Sequence, residues 1–181
     1  LNDATNYPLS GIAGTRTDCI YPHKQLDNCA YFYREITRMK LLILNGPNLN
    51  LLGEREPGLY GNRSFEEYLE ELTGLFPFID FVYVQSNIEG ELINALHAAR
   101  TSVDGVILNA GGYMHTSVAI ADAIAAVRTP VVEVHLTNIY AREEFRQTSL
   151  TARNCVGVIS GFGLLSYRMA VEALLERDRK S

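Results

Sequence analysis

Residues 131–146 read VVEVHLTNIYAREEFR, and the start of this segment predicts a strand buried in a parallel sheet. A β-branched run follows Pro130, as is typical of such strands. Side chains two residues apart on a strand point to the same face, so Glu133 and His135 should be neighbours. A carboxylate beside an imidazole fixes its tautomer and stabilises its protonated form, which suits a general acid near neutral pH.

Two arginines stand in the second half of the same segment. Arg142 and Arg146 are four residues apart, and they share one face if the segment is helical. A satisfied core histidine followed by a solvated helix is the alternative interpretation. Two cations close to a carboxylate–imidazole pair favour a site for an anionic small molecule.

The composition is that of one domain with a single core. The chain has 181 residues, of which 47% are hydrophobic. Its formal net charge of −5 argues against nucleic acid or an anionic membrane surface as a partner, and no apolar run approaches the length of a membrane span. The three cysteines, Cys19, Cys29 and Cys155, are an odd number without a disulfide-framework spacing, so we expect a reducing compartment, the cytoplasm.

Residues 1–38 differ from the rest of the chain in lacking helical or strand periodicity. They contain neither the apolar core of a signal peptide nor the composition of a transit peptide. A metal site at Cys19, His23 and Cys29 would lack a fourth ligand and matches no zinc-module spacing. Met39 lies just before the first predicted strand and resembles an initiator methionine. We therefore predict that residues 1–38 are a tag or translated upstream sequence, and that residues 39–181 are a single catalytic domain.

From residue 40 onward, apolar strands alternate with amphipathic helices. The predicted strands are 41–44, 79–84, 106–108, 131–134 and 156–159. The predicted helices are 64–76, 86–102, 117–127 and 165–177, the first two opening on the capping boxes Ser64/Glu67 and Ser86/Glu89. This alternation predicts an α/β fold: a flavodoxin-like three-layer sandwich whose five-stranded parallel sheet has the order 2-1-3-4-5.

Such folds bind ligands at the carboxyl ends of the strands, near the switch point between strands 1 and 3. Strand 1 ends in NGPNL (residues 45–49), strand 3 in NAGG (residues 109–112) and strand 4 in His135. These residues offer neutral donors and acceptors plus one imidazole, with no acid cluster for Mg²⁺ and no phosphate-binding glycine motif. His115 precedes a helix that Thr116 or Ser117 could cap, which leaves open whether this turn is only a cap or also contacts a ligand.

Three blocks of the sequence resemble the signature blocks of type II 3-dehydroquinate dehydratase. They are NGPNLNLLGEREPGLYG (residues 45–61), LNAGGYMHTSVAIADA (residues 108–123) and EVHLTNIYAREEFR (residues 133–146). The resemblance extends over residues 39–177. It implies a lyase that dehydrates 3-dehydroquinate to 3-dehydroshikimate in the shikimate pathway of aromatic amino acid biosynthesis. It also implies no cofactor, no metal, and a homo-dodecamer assembled from trimers.

The resemblance assigns roles to individual residues. Tyr60 matches the family's catalytic base, and Arg55 matches the arginine that activates this base. Asn48 matches the residue that steadies the enolate through a water, and His135 the acid that protonates the departing hydroxyl, with Glu133 orienting it. The remaining matched residues are substrate contacts, except for one basic residue near the site (Arg142). One of the contacts, Asp122, is supplied by a neighbouring subunit. These residues are Asn109, His115, Asp122, Leu136, Thr137, Arg142 and Arg146. Two positions, Ala121 and Tyr140, vary from the family pattern without touching a catalytic role.

Other chemistries fit the residues less well. A lysine Schiff base is excluded because the only lysines are Lys24, Lys40 and Lys180, none placed to reach the cleft. A flavin-binding electron carrier would need a hydroxyl-rich phosphate loop after strand 1, and a phospho-acceptor module would need acids where Asn45 and Asn109 stand. The glycine-rich segment 52–61, LGEREPGLYG, is expected to be a lid that carries the base.

Overall fold

The computed structural model describes residues 39–54 and 63–178. Within them, five strands form one sheet: β1 (Met39–Asn45), β2 (Ile79–Gln85), β3 (Gly105–Asn109), β4 (Val131–His135) and β5 (Gly157–Ser160). Every adjacent pair is parallel, and the order is β2-β1-β3-β4-β5. The predicted sheet and strand order are confirmed, with strand ends that differ from the prediction by one or two residues.

Helices cover both faces of the sheet. They are α1 (Phe65–Leu75), α2 (Glu89–Ser102), the short α3 (Tyr113–Thr116), α4 (Val118–Ala126) and α5 (Leu165–Asp178). Because side chains alternate along a strand, Leu41 and Ile43 of β1 pack with α1 and α5 on one face. Leu42 and Leu44 pack with α2 and α4 on the other. The result is the predicted three-layer sandwich. No helix within the described ranges is long and apolar enough to cross a membrane.

The two predicted capping boxes have different outcomes. At the start of α1, Glu67 N donates to Ser64 Oγ at 3.1 Å and Ser64 N donates to Glu67 Oε2 at 3.2 Å, which confirms the first box. The second is wrong, because α2 begins at Glu89 with Ile88 as its N-cap and no side-chain cap. Ser86 N instead donates to Asn45 O at 3.0 Å, so this residue still belongs to the end of the sheet.

Gly46 lies where the loop after β1 passes closest to the loop after β3. Its N–H donates to Asn109 O at 2.7 Å. A Cβ at this position would lie 2.5 Å from Ala110 O and 2.6 Å from Ala110 C, far inside van der Waals contact with rigid backbone. The absence of a side chain therefore lets the two loops that begin the candidate site approach each other.

We expect Gly46→Ala to lower the free energy of unfolding by roughly 1–3 kcal/mol, because the methyl group must displace the Ala110 backbone. Gly74→Ala is the matched control. A Cβ at Gly74, in the last turn of α1, meets nothing within 4 Å, and replacing a helical glycine by alanine stabilises by up to about 1 kcal/mol. Denaturant unfolding of both variants should give effects of opposite sign, and equal effects would contradict the close-approach argument.

Candidate active site

A cavity of about 300 Å³ opens at the carboxyl ends of β1, β3 and β4. Most of the residues that the sequence singled out line it: Asn48, Asn109, His115, His135, Leu136, Thr137, Arg142 and Arg146. The other lining residues are small or apolar: Pro47, Leu49, Leu51, Leu52, Gly111 and Gly112. Among the described residues that form this lining, no side chain is a carboxylate, so the cavity favours an anionic ligand.

Glu133 lies directly behind His135. The two share one face of β4, and His135 Nε2 lies 2.7 Å from Glu133 Oε1. Glu133 has no exposed area, and His135 is 7% exposed. Burial alone would raise the pKa of Glu133, but hydrogen bonds from His135, Thr151 and Ser149 outweigh burial and hold this pKa below its usual value. Glu133 is therefore a carboxylate at neutral pH and can stabilise a protonated His135.

The second oxygen of Glu133 has partners that sequence reasoning missed. Thr151 Oγ1 donates to Glu133 Oε2 at 2.5 Å, and Ser149 Oγ lies 3.0 Å from Thr151 Oγ1. Cys155 Sγ is 4.0 Å from the same carboxylate oxygen. Burial, reinforced by the charge of Glu133, raises the pKa of the Cys155 thiol to about 12, so it stays protonated. The run of hydroxyls before β5 was the only sequence signal of this contact.

His115 faces the same cavity from α3. Its ring lies 6.1 Å from that of His135, centroid to centroid, with the planes 28° apart. Nδ1 lies 2.8 Å from Thr148 O. A carbonyl oxygen only accepts, so Nδ1 carries a proton and Nε2 is the acceptor of the neutral ring. Ser117 caps α4 by accepting from Ile120 N at 2.8 Å, so the turn both caps a helix and places an imidazole in the cavity.

A buried tyrosine fixes the amide of Asn109. Tyr167 Oη donates to Asn45 Oδ1 at 2.8 Å and accepts from Asn109 Nδ2 at 3.0 Å. Asn109 Oδ1 accepts from Gly111 N at 3.3 Å. Burial raises the pKa of Tyr167 above the ordinary value, so its hydroxyl stays neutral. The two strand-end asparagines are thus held by a residue of α5, which sequence reasoning also missed.

Asn48 adopts a left-handed backbone conformation, with φ of 67°, at the tip of the loop after β1. Side chains at and just after the end of β2 hold this loop. Asn48 N donates to Asn87 Oδ1 at 3.1 Å, and Gln85 Nε2 donates to Asn87 Oδ1 at 3.1 Å and to Gly46 O at 3.2 Å. Asparagine tolerates this left-handed conformation better than most residues do. The loop can therefore make this turn and still carry a polar side chain in the cavity lining.

The arginines reach the cavity from separate turns. The segment forms two three-residue 3₁₀ turns, Ile139–Ala141 and Glu144–Arg146, so it is not the helix that would have put both arginines on one helical face. The segment contains Asn138, which caps the first turn locally. Arg146 Nε lies 3.3 Å from Glu143 Oε2, an ion pair without hydrogen-bond alignment, and Arg142 Nε lies 4.0 Å from the same oxygen. Both arginines nevertheless line the cavity.

Comparison with known proteins fits this arrangement of fold and cavity. The family model described as dehydroquinase class II matches residues 39–175. The chain belongs to the class II dehydroquinase family.

Individual relatives agree with the family match. A 3-dehydroquinate dehydratase of an Exiguobacterium species is 55% identical over 142 residues, which is 78% of this chain and 97% of that protein. One from Carboxydothermus hydrogenoformans is 51% identical over 140 residues, 76% of this chain and 91% of the other. Among solved structures, a type II dehydroquinase from Butyrivibrio crossotus superposes with a TM-score of 0.72 at 42% identity, covering 76% of this chain and 97% of the other.

The remaining residues matched to class II dehydroquinases fall outside the cavity or outside the described ranges. Asp122 is exposed on α4 and does not line the cavity of its own chain. Arg55 and Tyr60, and with them most of the expected lid, lie outside the described residues, as do residues 1–38. Ala121 is buried and Tyr140 exposed. Within the described parts of the chain, no group of three or more His, Cys, Asp or Glu side chains could hold a metal ion.

Proposed function

We propose that this chain is a 3-dehydroquinate dehydratase, a hydro-lyase that reversibly eliminates water from 3-dehydroquinate to give 3-dehydroshikimate in the shikimate pathway. The observation that supports this best is the buried Glu133–His135 pair, which opens onto a cavity with cationic and amide side chains. Membership of the class II dehydroquinase family gives the substrate class. No cofactor and no metal takes part in the proposed reaction.

Substrate binding in this proposal uses the polar lining of the cavity. The substrate carboxylate lies against the backbone of Leu136 and Thr137, with the two cavity arginines supplying positive charge. The turn that follows is only three residues long, so no helix dipole contributes, and the carboxylate relies on N–H groups and guanidinium charge. Asn109 and His115 form hydrogen bonds to the ring hydroxyls. The orientations of their side chains are already fixed by Tyr167 and by the Thr148 carbonyl.

The proton transfers follow from the chemistry of the substrate. Tyr60, with Arg55 beside it, removes the proton alpha to the ketone, and the electron pair moves into an enolate. Asn48 steadies the enolate oxygen through a water molecule. As the enolate collapses, the bond to the tertiary hydroxyl breaks and His135 donates the proton that makes water the leaving group. The two departing groups leave from opposite faces of the ring, so the elimination is anti.

The proposal extends to assembly and location. We infer a homo-dodecamer, assembled as a tetramer of trimers, in the cytoplasm, in which Asp122 of one subunit contacts the substrate bound to its neighbour. Its exposure on α4 and its absence from its own cavity support that placement. We also take the catalytic domain to begin at residue 39, where the family match begins, and comparing the full chain with one that starts at Met39 tests this boundary.

Asp122→Asn should raise KM several-fold with little change in kcat, because one charged contact to the substrate is lost while the chemistry is untouched. The matched control is Asp80→Asn. Asp80 is an exposed carboxylate near the start of β2 that pairs with Lys40 at 3.8 Å, at the opposite end of the sheet. Steady-state kinetics should be measured together with sedimentation velocity. An unchanged KM in a fully assembled variant would make Asp122 an ordinary surface charge.

The experiment that tests the function directly is an assay of the full chain with 3-dehydroquinate. The conjugated product absorbs in the ultraviolet, so its formation is followed continuously. We expect catalytic turnover that persists after treatment with a chelator and after borohydride, which would trap a Schiff base. A well-folded protein that produces no 3-dehydroshikimate would refute the proposal.

A further inference from the structure

We propose that residues 148–151, TSLT, form a positioning strap that fixes the proton placement on both imidazoles of the cavity. Thr151 is the positioning residue through which the strap acts on His135. This inference rests on the proposed function and deepens it, since it assigns a role to a segment that is not among the residues lining the cavity.

The strap is attached to the element that carries the first imidazole. Leu150 N donates to Met114 O at 2.8 Å, and Thr148 O accepts from His115 Nδ1 at 2.8 Å. Met114 and His115 are consecutive residues of α3. Two hydrogen bonds therefore join the strap to α3. They hold the Thr148 carbonyl, which sets the tautomer of His115, in a fixed position relative to that ring.

The other end of the strap reaches the second imidazole through a chain of hydrogen bonds. Ala152 N donates to Ser149 Oγ at 3.2 Å, Ser149 Oγ lies 3.0 Å from Thr151 Oγ1, and Thr151 Oγ1 donates to Glu133 Oε2 at 2.5 Å. A backbone N–H only donates and a carboxylate only accepts. The hydroxyls between them therefore have one consistent orientation, which leaves Glu133 Oε1 to accept from His135 Nε2 at 2.7 Å.

Burial makes the Thr151 contact consequential. Thr151 and Glu133 both have no exposed area, so water does not readily replace a lost hydrogen bond, and an unsatisfied buried carboxylate oxygen is costly. The other ionisable groups around the pair are the His115 ring, the Cys155 thiol near Glu133, and Arg142 and Arg146 across the cavity. None of them donates to Glu133 Oε2 within 3.5 Å in the described part of the chain, so Thr151 is the close donor to this oxygen and, with His135 and Ser149, keeps the carboxylate ionised.

The test is Thr151→Val, which keeps the β-branched shape and removes the hydroxyl. We expect kcat to fall by about ten- to a hundred-fold, the worth of a buried hydrogen bond to a charged group, with KM within a few-fold of wild type. Without the Thr151 hydroxyl, the pKa of Glu133 should rise, because one of the hydrogen bonds that lower it is lost. The acid limb of the kcat profile, where Glu133 takes up a proton and no longer supports the imidazolium, should therefore move to higher pH.

Two further variants separate positioning from packing. Thr151→Ser keeps the hydroxyl and should restore most of kcat and the original pH profile. Thr129→Val is the remote control, because Thr129 Oγ1 donates to Ala99 O at 3.2 Å before β4 and is half-buried. It should leave both unchanged. Equal losses in Thr151→Val and Thr151→Ser, or a Thr151→Val enzyme with normal kcat and pH profile, would overturn the inference.

A readout without turnover keeps this test distinct from that of the function. Nuclear magnetic resonance of protein labelled at the glutamate carboxyl carbons reports the pH at which Glu133 titrates. In Thr151→Val this titration should move to higher pH, because a hydrogen bond that lowers the pKa of Glu133 is lost, whereas Thr129→Val should leave it unchanged. An inactive wild-type chain would refute the proposed function, yet the shift at Glu133 would still support or overturn the role of the strap.

Discussion

Replacing His135 by alanine is expected to lower kcat by roughly 10²–10⁴-fold, the usual worth of a positioned general acid. In the proposed mechanism the substrate loses its proton donor at the departing hydroxyl, whereas its carboxylate contacts come from the neighbouring backbone. Binding should therefore change little, so KM should stay within a few-fold of wild type. The measurement is steady-state kinetics, with ligand binding determined separately by calorimetry. His97→Ala, on the exposed face of α2, is the control and should behave as wild type.

The same variant should also change how stability depends on pH. The pKa of Glu133 is lowered in the folded protein despite burial, with the His135 hydrogen bond the largest opposing contribution. A lowered folded-state pKa gives stability that is present above the unfolded pKa and is lost as pH falls through the folded one. In His135→Ala this acid-side loss should begin at a higher pH. If the variant fails to fold at any pH, the core-histidine interpretation of residues 131–146 would be correct instead.

Tyr60→Phe and Arg55→Ala are each expected to lower kcat by about 10²-fold or more. An unperturbed tyrosine has a pKa of about 10, so ionising it near pH 7.5 costs roughly 3.4 kcal/mol. One guanidinium at about 4 Å contributes on the order of 4 kcal/mol at an effective dielectric constant of about 20. The two energies are comparable, so in this proposal Arg55 is what makes Tyr60 a usable base.

The double variant tests that coupling. If Arg55 acts through Tyr60, Tyr60→Phe combined with Arg55→Ala should lose far less than the product of the single losses. Arg55→Lys should rescue only in part, because a lysine lacks the planar fork. Arg100→Ala, on the exposed surface of α2, controls for the loss of a positive charge. Strictly multiplicative losses would contradict the coupling, and near-normal turnover in Tyr60→Phe would remove the tyrosine from the mechanism.

Sequence periodicity predicted the strands and helices, because buried parallel strands are near-continuous apolar runs. The strand order followed from the fold class that this alternation favours. Alternation along β4 likewise placed Glu133 beside His135. The contacts that remained hidden join residues far apart in the chain. Thr151 reaches Glu133 across 18 residues, and Tyr167 reaches Asn109 across 58. Such pairings depend on how α5 and the segment before β5 pack, which no local pattern encodes.

The local errors have local causes. Ser86 and Glu89 have the spacing of a capping box, but the N–H of Ser86 completes the sheet and the helix starts later. Arg142 and Arg146 have helical spacing, yet the segment breaks into two 3₁₀ turns. Spacing predicts which residues share a face only if the element forms, whereas the side chains here converge on the cavity from separate turns.

The most direct test of the proposed anti elimination is the fate of a deuterium placed on carbon 2 of 3-dehydroquinate, anti to the departing hydroxyl. The full chain is incubated with this substrate, and the 3-dehydroshikimate formed is analysed by mass spectrometry. Tyr60 and His135 acting on opposite faces of the ring predict that the deuterium is lost to solvent. Product that retains the deuterium would show a syn elimination and contradict the assigned base and acid.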